Sequence, residues 1–368
     1  MLNLKAICTL SAAKGGIQNR LRTDCFDVNI IYKKEAIKIR QLFDLISADA
    51  PPGCESALGE HILSEIKPYC EAKIDRAGNI IAFKRGKKAS DLKIMFCAHM
   101  DEVGVIVTEI TREGFLRFDT LGGIDKRVLF GKRVKVGKTQ GVIGACPVHL
   151  LEENEKLLPE KELYIDIGAK SEEDAALSVA AGNCGVFYTD SAVLGSGLIK
   201  AKALDDRAGC LILMELLRAE LEYDIFCVFT VKEEAGCFGA QAASFSLNPD
   251  ICIVLEATTA ADIDGNTDEK AVCRLGKGVV ITHTDKGAFY DRELYELAVK
   301  TAEENNIRWQ TKTQVAGGND ASRVKAQGAQ VLALSVPCRY IHCPAGLMDP
   351  DDWQAARRLA EILIGKLG

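Results

Sequence analysis

Apolar and polar residues follow two kinds of pattern along the chain. From about residue 35 to residue 67 the apolar residues recur at helical spacing, and Ala50-Pro51-Pro52-Gly53 interrupts them, which predicts two helices. Short apolar runs follow at Cys70–Ile74, Asn79–Phe83 and Lys93–Ala98, and they predict three strands. This first part of the chain therefore predicts helices packed against a sheet.

The region from about residue 105 to residue 198 has a different character. It contains short β-branched runs and frequent glycines, and it lacks a long amphipathic helix. Runs at Phe115–Phe118, Val134–Val136 and Leu163–Ile167 predict short strands. We interpret this region as a small, separate β domain.

After Lys200 the alternation of helices and strands returns. The predicted elements are helix Ala208–Leu221, strand Asp224–Thr230, helix Gly239–Phe245, strand Ile251–Glu256, helix Arg292–Asn306, strand Gln330–Ser335 and helix Asp351–Leu367. Because the segments on both sides of the β region share this pattern, they predict one α/β domain into which the β region is inserted.

The length of the chain agrees with two domains. Its 368 residues exceed the ~250–300 residues at which a single core usually stops growing. We predict an α/β domain from residues 35–104 and 199–368, an inserted β domain from residues 105–198, and an N-terminal extension, residues 1–34, with no assigned function.

Composition excludes several classes of protein. The net charge is −6 and the basic residues are spread along the chain, which argues against a nucleic-acid partner. No apolar run approaches the ~18 residues of a membrane helix, so we predict no membrane association. The 14 cysteines lie singly, mostly in apolar runs, as expected for buried thiols in a reducing cytoplasm. We therefore predict a cytoplasmic protein.

Metal-ligand residue types occur near the ends of several predicted strands. They are His99 with Asp101, Asp205 with Asp206, Glu233 with Glu234, Glu256 and His342. Each alone has a structural explanation, such as a helix cap or a hydrogen-bonded core histidine. Burying so many carboxylates together is costly unless cations neutralise them. Imidazole with carboxylate suits zinc, cobalt or manganese, so the set predicts a metal centre.

The order and spacing of five motifs resemble the tetrahedral aminopeptidases. This family includes glutamyl and leucyl aminopeptidases and members once labelled endoglucanases. The motifs are Ala98-His99-Met100-Asp101-Glu102-Val103-Gly104, Lys202-Ala203-Leu204-Asp205-Asp206-Arg207-Ala208-Gly209, Glu233-Glu234-Ala235-Gly236, Gly317-Gly318-Asn319-Asp320-Ala321 and Arg339-Tyr340-Ile341-His342. The resemblance runs from about Ala36 to the C-terminus.

The resemblance implies two divalent ions per chain, zinc, cobalt or manganese, and a role for each site residue. By this likeness Asp205 bridges the ions, His99 and Glu256 complete one site, and Glu234 and His342 complete the other. Glu233 is implied as the general base that deprotonates a water held between the ions. Asp101 is implied to orient the His99 ring. The implied substrates are short or unfolded peptides with a free N-terminus.

The resemblance also implies a fold and an assembly. The fold is a mixed-sheet, three-layer metallopeptidase domain with an inserted, small β-barrel-like domain. The insertion is implied to form dimers, which assemble into a homododecamer with its active sites facing inward.

Two residues depart from the family pattern. Glu256 stands where the family usually has aspartate, and Ala345 lies where an acidic residue commonly follows the last histidine.

Two other functions remain open. A glycoside hydrolase typically uses two carboxylates without metal, and the two histidines argue against it. The second alternative is a family member that has lost catalysis and serves in assembly or regulation. The candidate ligands are all chemically competent, which argues against this alternative.

Overall fold

The computed structural model describes residues 38–147, 162–267 and 270–368. The predicted N-terminal extension, residues 1–34, lies outside the described residues. The fold and the site lie within one compact unit, Leu42–Gly368. Among the described residues, no helix is both long and apolar enough to cross a membrane.

Helices and strands alternate as the sequence predicts, with ends shifted by a few residues. The described part of α1 is residues 38–47, and the other helices are α2 (Ser56–Ile66), α3 (Glu172–Ala176), α4 (Leu204–Arg218), α5 (Phe238–Leu247), α6 (Arg292–Glu304), α7 (Ala321–Lys325) and α8 (Pro350–Leu367). The strands are β1 (Glu71–Ile74), β2 (Ile80–Lys84), β3 (Ile94–His99), β4 (Gly104–Ile110), β5 (Leu116–Leu121), β6 (Arg133–Val136), β7 (Thr139–Gly144), β8 (Tyr164–Asp166), β9 (Cys184–Phe187), β10 (Ala192–Leu194), β11 (Leu198–Ala201), β12 (Ile225–Thr230), β13 (Ile251–Thr259), β14 (Val279–Thr282), β15 (Trp309–Gln310), β16 (Gln330–Arg339) and β17 (Gly346–Met348).

One large mixed sheet forms the centre of the α/β part. Its strand order is β1-β2-β12-β3-β13-β16-β17-β11-β10, and β14 and β15 are attached to β16. The four central strands β12, β3, β13 and β16 are parallel to one another, whereas β2 and β17 pair antiparallel with their neighbours. The mixed sheet that the family resemblance implies is confirmed.

Helices cover both faces of this sheet, which gives the predicted three layers. Ala240 of α5 and Ala321 of α7 share an apolar core with Met95 and Cys97 of β3. Alternate residues of a strand point to opposite faces. On the other face α4 packs against β3 and β13, with α2 and α8 beside it.

Six short strands close into a separate barrel in the order β4-β5-β8-β7-β6-β9. Inward-facing residues such as Val105, Leu116 and Val134 form its own apolar core. The chain enters the barrel at Gly104, five residues after His99, so the barrel begins next to the ends of the parallel strands. After β9 the chain returns to the large sheet through β10 and β11. The domain boundaries derived from the sequence remain a prediction.

Candidate metal centre

The carboxyl ends of three parallel strands bring the predicted site residues together. β3 ends at His99, β12 ends at Thr230 beside it, and β13 carries Glu256. In parallel sheets these ends meet at one edge, where ligands usually bind. The loop after β12 supplies Glu233 and Glu234 to the same edge.

Asp205, at the start of α4, lies between the two histidines. Its Oδ1 atom is 3.1 Å from His99 Nε2, and its Oδ2 atom is 3.3 Å from His342 Nε2. Glu256 Oε1 lies 3.4 Å from His99 Nε2, whereas Glu234 Oε1 lies 3.2 Å from His342 Nε2. Two sets of nitrogen and oxygen donors therefore share one carboxylate.

Both histidine rings are oriented by backbone carbonyls. His99 Nδ1 is 3.0 Å from the carbonyl oxygen of Asp101, and His342 Nδ1 is 3.0 Å from that of Gly123. A carbonyl only accepts hydrogen bonds, so each ring donates from Nδ1 and directs Nε2 at the carboxylates. This is the arrangement that metal-binding histidines adopt, and the residues fit a divalent cation.

Burial makes the acidic groups depend on positive charge. Burial raises the pKa of Glu234 to about 7, and it raises the pKa of Glu256 well above its usual range. Burial also acts to raise the pKa of Asp205, but hydrogen bonds from His342 and His99 outweigh it and hold that pKa well below its usual range. Divalent cations would supply the charge that these buried carboxylates need.

The neighbouring carboxylates favour positive charge on the two imidazoles. Burial lowers the pKa of His342, but Asp205 and Glu234 outweigh it and raise the pKa to about 9. Burial likewise opposes the effect of Glu256 and Asp205 on His99, whose pKa is nevertheless raised well above its usual range. A divalent cation bound here would therefore displace protons from the imidazoles.

Asp101 connects the first histidine to the two glutamates. Its Oδ1 accepts a hydrogen bond from the backbone N–H of Glu233 and its Oδ2 accepts one from that of Glu234, both at 3.0 Å. Asp101 Oδ1 lies 3.6 Å from His99 Nδ1, too far for a hydrogen bond. The carbonyl of Asp101 thus orients the ring, while its carboxylate holds the glutamate loop.

A buried ion network joins two of the sequence motifs. Lys202 Nζ lies 2.7 Å from Glu102 Oε1, and Arg207 Nη2 lies 3.2 Å from the same oxygen. All three side chains are nearly inaccessible to solvent. Glu102 follows Asp101 in one motif, and Lys202 and Arg207 lie on either side of Asp205 in the other. The network therefore holds these two motifs together.

Left-handed backbone conformations occur next to the site residues. Ala203, Lys232, Cys237, Tyr340 and His342 have φ between 49° and 60°. Such φ values are uncommon for residues other than glycine and are often found at functional sites. Here they set the paths of the loops that carry Asp205, the glutamates and His342.

Glu233 faces a cavity of about 110 Å³. The cavity is also lined by His99, Asp205, Glu256, Thr258, Lys312, Asn319 and His342. Burial raises the pKa of Glu233 to about 8. A carboxylate with a pKa near the working pH is well suited to accept and return a proton.

A model of the M42 glutamyl aminopeptidase family matches residues 78–359. The chain belongs to this family. Its relatives include the lysyl aminopeptidase of Pyrococcus furiosus, which is 32% identical over 310 residues that cover 81% of this chain and 87% of the relative.

Solved structures of related peptidases have the same fold as this M42 chain. A TET aminopeptidase from a marine sediment archaeon of the Thaumarchaeota has a TM-score of 0.86 and 33% identity, with 90% of this chain and 97% of that chain covered. The TET1 peptidase of Pyrococcus horikoshii, described as assembling into a tetrahedron or a large octahedral shell, has a TM-score of 0.79 and 35% identity, with 89% and 99% covered. The resemblance stated from the motifs is confirmed.

This M42 peptidase is a metal-dependent aminopeptidase, a hydrolase that acts on peptides. Family membership leaves the glycoside hydrolase alternative without support, although one similar structure, from Thermotoga maritima, carries the name endoglucanase.

The structure adds residues to the site of this M42 aminopeptidase that the sequence analysis left without a role. Asp320 is buried, follows the cavity-lining Asn319 and accepts a 2.6 Å hydrogen bond from Thr230 Oγ1. Lys312 lines the cavity and is 8% exposed. Asp320 belongs to the motif Gly317-Gly318-Asn319-Asp320-Ala321, so the sequence could have indicated it. Lys312 belongs to none of the five motifs, so no sequence signal pointed to it.

Proposed function

We propose that the protein holds two divalent cations, zinc, cobalt or manganese, and removes the N-terminal residue of short or unfolded peptides. His99 and Glu256 would hold one cation, Glu234 and His342 the other, and Asp205 would bind both. The placement of one imidazole at each oxygen of Asp205 carries this proposal.

When bound, the cations would polarise the scissile carbonyl and make an attacking water more acidic. Glu233 accepts the proton of that water and returns it to the leaving amine. Asp101 keeps Glu233 at the cavity because it binds the backbone N–H of that residue. The carboxylates of the cavity edge favour a free α-amine, which explains removal of terminal residues rather than internal cleavage.

Turnover of aminoacyl chromogenic amides tests this function. Purified protein should cleave unblocked amides, lose that activity in chelator, and regain it when zinc, cobalt or manganese is added back. The matched N-acetylated amides should remain uncleaved because they lack the free amine. Inactivity with every metal would instead support the family member that has lost catalysis.

Lys312 supports a preference for substrates with an acidic N-terminal residue. Its side chain is buried at the cavity, and among the described residues its Nζ donates one hydrogen bond, a long one of 3.4 Å, to the Ala316 carbonyl oxygen. A buried ammonium with so few acceptors favours a carboxylate partner. The family description names glutamyl substrates, and a fixed positive charge here disfavours a lysyl side chain.

Lys312→Met should lower the preference for glutamyl over glutaminyl amides about tenfold or more, because a hydrogen bond to a charged group contributes about 1.5–3 kcal/mol. The ratio of the two kcat/KM values measures this preference, and these amides carry no other carboxylate. Lys286→Met, which changes an exposed lysine, is the matched control. An unchanged ratio in Lys312→Met would exclude Lys312 as the determinant.

We also propose that the chain self-associates through the barrel and forms a homododecamer. The barrel exposes Phe130 and Leu177, which are 60% and 84% accessible. Exposed apolar residues on a small domain favour burial against a second copy. The tetrahedral assembly described for the P. horikoshii relative supports this, and the molar mass from light scattering tests it.

A cytoplasmic location completes the proposal. The cysteines of the described residues are free thiols, and most of them are buried. Free thiols in such number persist in a reducing compartment.

A further inference from the structure

A thiol and two carboxylates form a second cluster beside the proposed metal centre. The ligand atoms of Glu233, Cys237 and Asp320 all lie within 4.8 Å of one another. Cys237 Sγ donates a hydrogen bond to Glu233 Oε1 at 3.3 Å. This thiol–carboxylate cluster contains none of the five proposed ligands, but it shares Glu233 with the catalytic machinery.

Asp320, a member of the cluster, carries an unsatisfied oxygen. The residue is 1% exposed, and its Oδ2 atom accepts the hydrogen bond from Thr230. Its Oδ1 atom is buried and accepts no hydrogen bond from the described residues. The Cys237 thiol is within hydrogen-bonding reach of both Asp320 and Glu233, but it has a single proton, so when it donates to Glu233 it cannot also donate to Asp320. A buried carboxylate oxygen without a partner is costly, and a cation would satisfy it.

The backbone holds the thiol in place. The N–H groups of Gly236 and Cys237 both donate to the carbonyl oxygen of Glu233, at 2.8 and 2.9 Å. Cys237 has φ of 59° and precedes α5. This tight turn keeps the thiol and the Glu233 carboxylate on the same side of the loop. The cluster is therefore formed before any ligand arrives.

We propose that Glu233, Cys237 and Asp320 form a third cation site, selective for thiophilic ions such as zinc and cadmium, whose occupation inhibits the peptidase. As the sulfur–cation bond forms, the thiol proton leaves to water, and one oxygen from each carboxylate completes the contacts. The inhibition rests on the proposed function, because a cation on the Glu233 carboxylate blocks the oxygen that would accept the proton of the attacking water.

The thiol determines which ions the site takes. Soft thiolate ligands favour zinc and cadmium, whereas manganese and magnesium prefer oxygen ligands. Burial and the neighbouring carboxylates raise the pKa of Cys237 above its usual range, so only ions that bind thiolate tightly displace its proton. Excess zinc should therefore inhibit an enzyme that excess manganese leaves active.

Cadmium titration of the manganese-loaded enzyme tests the site by two readouts. Cadmium bound to thiolate absorbs in the ultraviolet, and peptidase activity reports the state of Glu233. In the unmodified enzyme the absorption and the inhibition should rise together. In Cys237→Ser the absorption should be lost, and the inhibitory concentration of cadmium should rise at least about tenfold. Each rate is normalised to the uninhibited rate of the same variant.

A double variant, Cys54→Ser with Cys184→Ser, is the control for thiols outside the cluster. These two cysteines are at least partly exposed and lie close to each other, so they offer cadmium another site. The double variant should keep both responses. Cys237→Ser with unchanged absorption and inhibition would overturn the third site. Absorption that depends on Cys237 without any inhibition would keep the site and overturn the role of Glu233 as base. Asp320→Asn gives a second variant that retains the thiol, and it should weaken cadmium binding.

Discussion

Glu233→Gln should lower turnover about 10²- to 10⁴-fold, the contribution typical of a general base, while both cations stay bound. Glutamine keeps the size of the side chain but cannot accept the proton of the attacking water. The loop should remain in place, because Asp101 binds the backbone N–H of residue 233 and not its side chain.

The adjacent residue provides the matched control. Glu234→Gln removes the carboxylate whose oxygen faces His342 Nε2, so that variant should lose one cation. Steady-state kcat for an unblocked aminoacyl amide and metal content by mass spectrometry separate the two outcomes. A metal-replete Glu233→Gln enzyme with near-normal turnover would remove Glu233 from its role.

The hydrophobic pattern predicted the elements better than it predicted their ends at the site. Strand β13 continues to Thr259, beyond the predicted end at Glu256, because buried residues follow that glutamate without a break. The assigned span of helix α4 starts at Leu204, but Asp205 and Asp206 have non-helical dihedral angles, so regular helix begins after them and close to the predicted start at Ala208. The two aspartates therefore lie on an irregular turn, which a hydrophobic pattern does not reveal.

Parallel strand ends made it predictable that the proposed ligands lie together. Thr230 pairs with His99, so the glutamate loop after β12 had to lie beside β3. Contacts between loops were not predictable in this way. The carboxylate of Asp101 binds backbone groups that are 132 and 133 residues away in sequence. Cys237 depends on a left-handed turn, which periodicity does not reveal.

Asp205→Asn should lower the affinity for both cations at least about 100-fold. Residues that only orient metal ligands contribute about 10- to 100-fold, and a direct ligand should contribute at least as much. Each oxygen of Asp205 faces a different imidazole. Asparagine keeps one oxygen, directs an NH₂ group at the other imidazole, and removes the negative charge that both cations would share. Since metal ions contribute several kcal/mol to catalysis, turnover should fall at least about 10³-fold.

Metal content after dialysis distinguishes a shared ligand from a ligand to one ion. Glu256→Gln and His342→Gln each alter one side of Asp205, so each should lose one cation and keep the other. Asp119→Asn, on an exposed position of barrel strand β5, makes the same chemical change far from these contacts and should keep both. If Asp205→Asn retained one ion while Glu256→Gln lost two, the shared ligand would be Glu256, and the central position of Asp205 between the histidines would serve only to orient them.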